Sequence, residues 1–241
     1  MAFHYSDFQP ATSRKKRLNR DGFQQTSLAT RIQRARELLA KEDWIIQCHQ
    51  VLQEHLANFV LRPSHILCLG LGSPSSSPTA LAQLAFLLEI CRLAAIEHPN
   101  VSIYDPVFSQ EDTAFFQTLG FNALPDNKEG KHTLDVPTIL WMPHCDLDLY
   151  ENLLSANWSP EKLERMVLIS NRLSDYVESN PKRKLETRAP CLVRIESALL
   201  CHLLPHSSAY PTAFNTIAVQ SSNRASELPA SWFSSNSETR C

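Results

Sequence analysis

The chain has 241 residues, of which 43% are hydrophobic and 20% charged, and its formal net charge is -2. That balance is an ordinary soluble globular protein's and gives no global pull toward nucleic acid or anionic membranes. Its seven cysteines contain no CxxC pair, so reduced buried thiols and a cytosolic or nuclear compartment are expected rather than a disulfide framework.

Residues 1–25 are polar and carry the basic run Arg14-Lys15-Lys16-Arg17, followed by Arg20. The run reads first as a solvated tail and second as a nuclear address. No apolar h-region opens the chain, so no secretory signal is expected. From Ser27 to about Val60, Ile32, Ala35, Leu38 and Leu39 recur at helical spacing and Leu52, Leu56 and Phe59 continue the pattern. One long N-terminal helix, residues 27–60, is predicted, capped by Thr26 or Ser27 and stopped before Pro63.

Three apolar runs then end abruptly in small or polar residues: His65 to Ser73, Val101 to Pro106, and Thr138 to Asp146. Such runs fit buried strands. Between the first two, Ser77 is placed to cap a helix with Pro78 at its first position. Its apolar face holds Leu81, Leu84, Ala85, Leu88 and Cys91, while Gln83, Glu89 and Arg92 rule out a membrane span. Ser109–Leu119 reads as a helix closed by Gly120, Phe121–Leu124 as a short strand, and Asn127–Lys131 as a turn-rich loop. Asp146 to about Asn157 reads as a helix, and Met166–Ser170 as a strand ending at Asn171. Pro181–Arg188 is a basic surface linker, Ile195–Leu204 a helix or strand, and Thr212–Gln220 a late strand. Trp232-Phe233 is assigned to the core and 234–241 to a polar tail. The fold class is therefore α/β: a Rossmann-like three-layer sandwich with a mostly parallel sheet, in one domain over 26–233 with its core at 64–180 and C-terminal elements at 190–233.

In a parallel sheet the strand ends share one edge, where ligands bind. Gly70, Gly72, Ser73, Asp105, His144, Cys145 and Asn171 should converge there. Gly70-Leu71-Gly72 lacks the third glycine of the dinucleotide fingerprint, yet it allows close backbone approach, and the following helix offers N–H groups to an anion. A simple tight turn is the alternative. Asp105 is placed to hold ribose hydroxyls, although the gap from the last glycine is 33 residues rather than about 20; its rival role is capping a turn. His144 and Cys145 are adjacent in sequence and make a poor chelate, and no second Cys/His cluster stands elsewhere, so no metal site is expected. A Cys–His nucleophilic pair would need an orienting residue from another segment. Structural or ligand-lining use of His144 leads, with axial ligation of haem by His144 or Cys145 as a lesser alternative.

Leu69-Gly70-Leu71-Gly72, Gln83-Leu84-Ala85, Tyr104-Asp105-Pro106-Val107-Phe108, Gly120, Met142-Pro143-His144-Cys145, Leu149-Tyr150-Glu151-Asn152-Leu153-Leu154, Asn157-Trp158 and Asn171 occur in this order. Together they resemble the eukaryotic family named after the plant protein Sensitivity to Red Light Reduced, over about residues 60–180. Beyond that the pattern departs: Phe214-Asn215 is followed by Thr216, and Trp232-Phe233 comes only after an apparent insertion. The resemblance implies a Rossmann-like domain and a regulatory role, with light and clock signalling in plants and growth, the cytoskeleton and haem metabolism elsewhere. It brings no settled reaction. Three functions follow as expectations. The first is a regulatory or adaptor protein, with protein partners, whose core binds a nucleotide-type ligand without turnover. The second is a methyltransferase-like enzyme with S-adenosylmethionine or another adenosine-type ligand over Gly70 to Ser73. The third is a haem-responsive regulator.

Overall fold

Leu28, Ile32, Ala35 and Leu39 form one buried stripe, and they wind into helix α1 (Leu28–Ala40), whose first turn is capped by Ser27 Oγ accepting the Thr30 N–H. Extending that stripe at the same period reaches Asp43, Ile46, Gln50 and Gln53, mostly polar residues, and Ile46 is exposed. The next buried stripe, Trp44, Ile45, Cys48, Leu52 and His55, is out of phase with the first. A single straight helix cannot turn both stripes to the core. The chain breaks after Lys41 and restarts as α2 (Trp44–Ala57), correcting the expectation of one long helix. The computed structural model describes residues 26–233 apart from 42, 58, 60, 223 and 224. The expected basic tail, with its Arg14–Arg17 run, and the polar tail 234–241 lie outside the described residues.

From Pro63 the chain alternates strand and helix: β1 (His65–Leu69), α3 (Pro78–Ala94), β2 (Val101–Tyr104), α4 (Gln110–Leu119), β3 (Asn122–Ala123), β4 (Thr138–Met142), α5 (Leu147–Ala156), α6 (Pro160–Leu163) and β5 (Met166–Asn171). Then follow α7 (Leu173–Ser179), α8 (Lys182–Arg188), α9 (Pro190–Ile195), β6 (Leu200–Leu203) and β7 (Ile217–Ser221). Residues 181–188, expected as a linker loop, are helical from Lys182. Leu185 is the buried anchor of that turn-rich stretch, too little apolar pattern to announce a helix.

The described strands form one sheet in the order β3-β2-β1-β4-β5-β7-β6. The pairs from β3 through β5 are parallel, while β7 runs antiparallel to both β5 and β6. Strand order reverses direction between β1 and β4, the switch point at which doubly wound sheets open a crevice.

Side chains alternate across the sheet and build two cores. Ile66 and Cys68, Ile139 and Trp141, and Val167 and Ile169 face α1, α2 and α3. Leu67 and Leu69, Leu140 and Met142, and Met166 and Leu168 face α5 and α9. Helices thus cover both faces, as the sandwich expectation required. Helix α3 is apolar nearly all round because the sheet covers one side and α1 the other; Arg36 of α1 pairs with Glu89 of α3 at 2.7 Å. Trp44 locks α2 down. Its ring lies 5.0 Å from Phe86 and 4.6 Å from Phe214, and its Nε1–H donates to Pro205 O at 2.7 Å. Trp232 and Phe233 close the opposite core only in part: both are half-buried against Trp158. No described helix is long and apolar enough to cross a membrane.

Candidate functional site

The carboxyl ends of β1, β2 and β4 open into a cavity of about 810 Å³, within the size range of small-molecule sites. Gly70, Asp105, His144 and Cys145 line it; Gly72, Ser73 and Asn171 do not. Tyr104 forms part of the wall, and the loop from Asn127 to His132 and the first turns of α5 complete it.

Gly70 follows β1 with φ +69, and a Cβ there would fall on the Cys145 sulfur. Only glycine gives both the left-handed backbone and the room. The Cys145 thiol is buried against Leu69 O at 3.4 Å, and burial, with Asp146 and Asp105 nearby, pushes its pKa up. It is a protonated thiol, neither nucleophile nor thiolate ligand.

Asp105 spans the 33-residue gap directly. Its Oδ2 accepts the Gly72 N–H at 2.8 Å and its Oδ1 accepts the Val107 N–H at 3.0 Å. Asp105 therefore caps its own turn and ties it to the glycine loop. Each oxygen keeps a lone pair for a further donor. Gly72 itself packs toward the first turn of α3, where an added Cβ would lie 3.5 Å from Ala80 Cβ.

Ser73 points away from the cavity. Its Oγ donates to Asp112 Oδ2 at 2.5 Å, and Asp112 also accepts the Ser75 N–H at 2.8 Å and both the N–H and Oγ–H of Ser109. Burial works to raise the pKa of Asp112, but hydrogen bonds from Ser73, Ser109 and Ser75 outweigh it, so the carboxyl titrates below its ordinary value. Ser77 Oγ caps α3 by accepting the Ala80 N–H, and Arg31 donates to Ser75 O and Pro74 O. The serine loop's polar groups thus meet protein partners.

His144 sits just past β4 with φ +55, an uncommon conformation for a residue other than glycine. Asn171, at the end of β5, holds it there: Oδ1 accepts the His144 N–H at 2.7 Å, and Nδ2–H donates to His144 Nδ1 at 3.2 Å and to Thr216 Oγ1 at 2.8 Å. His144 Nε2 lies 3.2 Å from Ala213 O, which also accepts from buried Gln83 of α3. These partners assign the proton to Nε2. Neither ring nitrogen is open to an axial ligand, and with Cys145 sealed under Gly70 the two residues do not fit haem ligation. Thr216, where the sequence leaves the family's pattern, is thus a direct support of Asn171.

The rest of the cavity was not legible as a site in the sequence. Gly130, at φ +83, brings the loop against α5 so closely that a Cβ would stand 2.7 Å from Leu149 O. Asn152 Nδ2 holds the loop through Glu129 O at 2.9 Å, and Asn157 fixes its far end through His132 O and the Leu134 N–H. Asp146 caps α5 by accepting the Leu149 N–H. Glu151 is buried and accepts the N–H groups of Cys191 and Leu192 at the start of α9. Asp148 binds Arg188 of α8 through both oxygens at 2.6 Å, across the cavity's rim. That pairing holds the Asp148 carboxyl below its ordinary pKa. The lining carries five carboxylates, Asp105, Glu129, Asp146, Asp148 and Glu151, against three cations, Lys128, Lys131 and Arg188. The turn residues Asn127 and Gly130 were the one signal that this loop had a fixed shape.

Comparison with known proteins agrees with the motif reading. A model of the SRR1 domain matches residues 48–221. A mouse SRR1-like protein is 36% identical over 150 residues, covering 61% of this chain and 59% of the relative. The Arabidopsis Protein SENSITIVITY TO RED LIGHT REDUCED 1 is 32% identical over 109 residues, 45% of this chain and 40% of its own length. A Drosophila SRR1-like protein is 32% identical over 133 residues, 55% of this chain and 48% of its own. The chain spans about half the length of these curated relatives. No solved structure matches. With strands β1 to β7 all inside or at the border of the matched segment, the chain belongs to the SRR1 domain family.

Proposed function

We propose that this chain is a regulatory protein whose strand-edge cavity binds a nucleotide-type ligand and passes its occupancy to protein partners without turning the ligand over. The observation that carries the reading is the convergence of Gly70, Asp105, His144 and Cys145 on one cavity at the sheet's switch point. A scaffold alone has no use for so many polar groups around an open cavity. Tyr104 offers an aromatic face, and Asp105 offers lone pairs to ribose hydroxyls beside it. The name of the plant relative, which speaks of sensitivity to red light, supports a role in regulation.

Binding without turnover is favoured over a methyltransferase-like enzyme because of how His144 and Cys145 are held. The His144 ring is engaged at both nitrogens, and the Cys145 thiol is buried and protonated.

Thermal unfolding in the presence of adenosine, S-adenosylmethionine, its demethylated product, NAD, ATP and haemin tests the proposal. A ligand at a hundred times its dissociation constant stabilises by about 2.7 kcal/mol. For a domain of this size that raises the midpoint by about 5–10 °C. The shift is expected with an adenosine-type ligand and is expected to vanish in Tyr104→Ala and Asp105→Asn, each compared with its own ligand-free midpoint. A shift with haemin alone, or none with any ligand, contradicts the reading.

A further inference from the structure

In doubly wound folds the glycine loop after the first strand and the N-terminus of the next helix seat a ligand's phosphate. Here that seat has a carboxylate in it. Asp112 comes from α4, is fully buried, and gathers the Ser75 N–H, the Ser73 hydroxyl and both donors of Ser109. Ser73 and Ser75 belong to the very loop that would hold a phosphate. The α3 cap is filled by Ser77 Oγ, and Arg31, the cation at this loop, spends its guanidinium on the loop's own carbonyls, Pro74 O and Ser75 O. Asp112 therefore does for the loop what a bound phosphate does elsewhere: it satisfies the donors with a fixed negative charge.

The cavity next to the loop points the same way. Carboxylates outnumber cations on its walls, and two of its cations are paired, Arg188 with Asp148 and Lys131 with Glu129 at 3.1 Å. Asp105 is bonded to Gly72, so a ribose held on Asp105 lies beside the glycine loop. The third cation, Lys128, belongs to the Asn127–His132 loop, and Arg31 at the glycine loop is already engaged. A 5′-phosphate placed beside Gly72 therefore approaches the charge of Asp112 with no cation of that loop left to receive it. Like charges brought together out of bulk water repel strongly.

We infer that Asp112 is a built-in substitute for a ligand phosphate and sets the ligand class of the cavity: a phosphate-free nucleoside, neutral or cationic, in preference to a nucleotide or dinucleotide. This rests on the proposed nucleotide-type reading of the cavity and narrows it. Asp112 is a positioning and specificity residue, and acts through the loop it holds.

Titration calorimetry of the full chain with adenosine and S-adenosylmethionine on one side, and AMP, ATP and NAD on the other, tests it. The nucleosides are expected to bind at least about tenfold tighter than AMP, a difference that calorimetry resolves readily. In Asp112→Asn, which keeps the shape but not the charge, AMP is expected to come within about threefold of adenosine. A wild-type protein that binds AMP, ATP or NAD as tightly as adenosine overturns the inference and leaves the nucleotide-type cavity standing. Binding of neither class overturns both. If Asp112→Asn fails to fold, the wild-type ratio of adenosine to AMP decides alone.

Discussion

Gly70 and Cys145 occupy one another's space, and their fit makes a double-mutant cycle informative. Gly70→Ala adds a Cβ at φ +69 onto the Cys145 sulfur. The left-handed backbone and the clash together are expected to cost about 2–4 kcal/mol in urea unfolding. In a Cys145→Ala background the sulfur is gone, and the same substitution is expected to cost only the backbone share, about 1–2 kcal/mol. Equal costs in both backgrounds contradict the steric account. Away from the cavity, His55 of α2 is fully buried between His202, with Nδ1 atoms 3.1 Å apart, and Ser221 Oγ at 2.7 Å from its Nε2. Burial first, and His202 second, lower its pKa to about 4. The unfolded chain takes up this proton near pH 6.5 and the folded one does not, so stability is full above that value and falls as pH drops from 6.5 to 4. The loss is on the order of 3 kcal/mol. Urea midpoints measured across that window are expected to show the slope in the wild type and a flatter one in His55→Gln.

The largest side chain fastening helix α2 to the fold is Trp44, whose ring joins Phe86 of α3 to Phe214 and whose N–H reaches Pro205. Trp44→Ala is expected to cost about 3–5 kcal/mol by circular-dichroism-monitored unfolding, and Trp44→Phe distinctly less. Similar small costs for both would mean that α2 is held elsewhere. The same helix shows where sequence patterning stops. The apolar residues of 27–60 were legible, but the two-residue slip of phase around Lys41 and Asp43 was masked by Ile46, an apolar residue that the fold leaves exposed. Helix α8 escaped notice for the opposite reason, since Leu185 alone anchors it. By contrast, α3, α4 and α5 carry sequence-local start signals, Ser77-Pro78, the Ser109–Asp112 capping box and Asp146, and all three begin where those signals stand.

The parallel strands were readable because a strand buried on both faces is a continuous apolar run, as in Ile66–Leu69 and Thr138–Met142. Reading the strand ends then brought Gly70, Asp105, His144 and Cys145 to one edge without any knowledge of pairing. What sequence order could not supply is contact made by topology: Asp112 reaching Ser73 and Ser75 from 39 and 37 residues away, Asn171 reaching His144 from 27, or Arg188 reaching Asp148 from 40. Those distant pairs turn a row of strand ends into a shaped cavity and decide its charge. The most direct measurement is amide NMR of the full chain titrated with adenosine. Shifts are expected to be confined to the cavity, at Gly70, Asp105, Glu129 to Lys131 and His144, with Ser75 and Asp112 little moved. Shifts centred on the Ser73–Ser77 loop, shifts on a different face of the sheet, or no shift at all would contradict it.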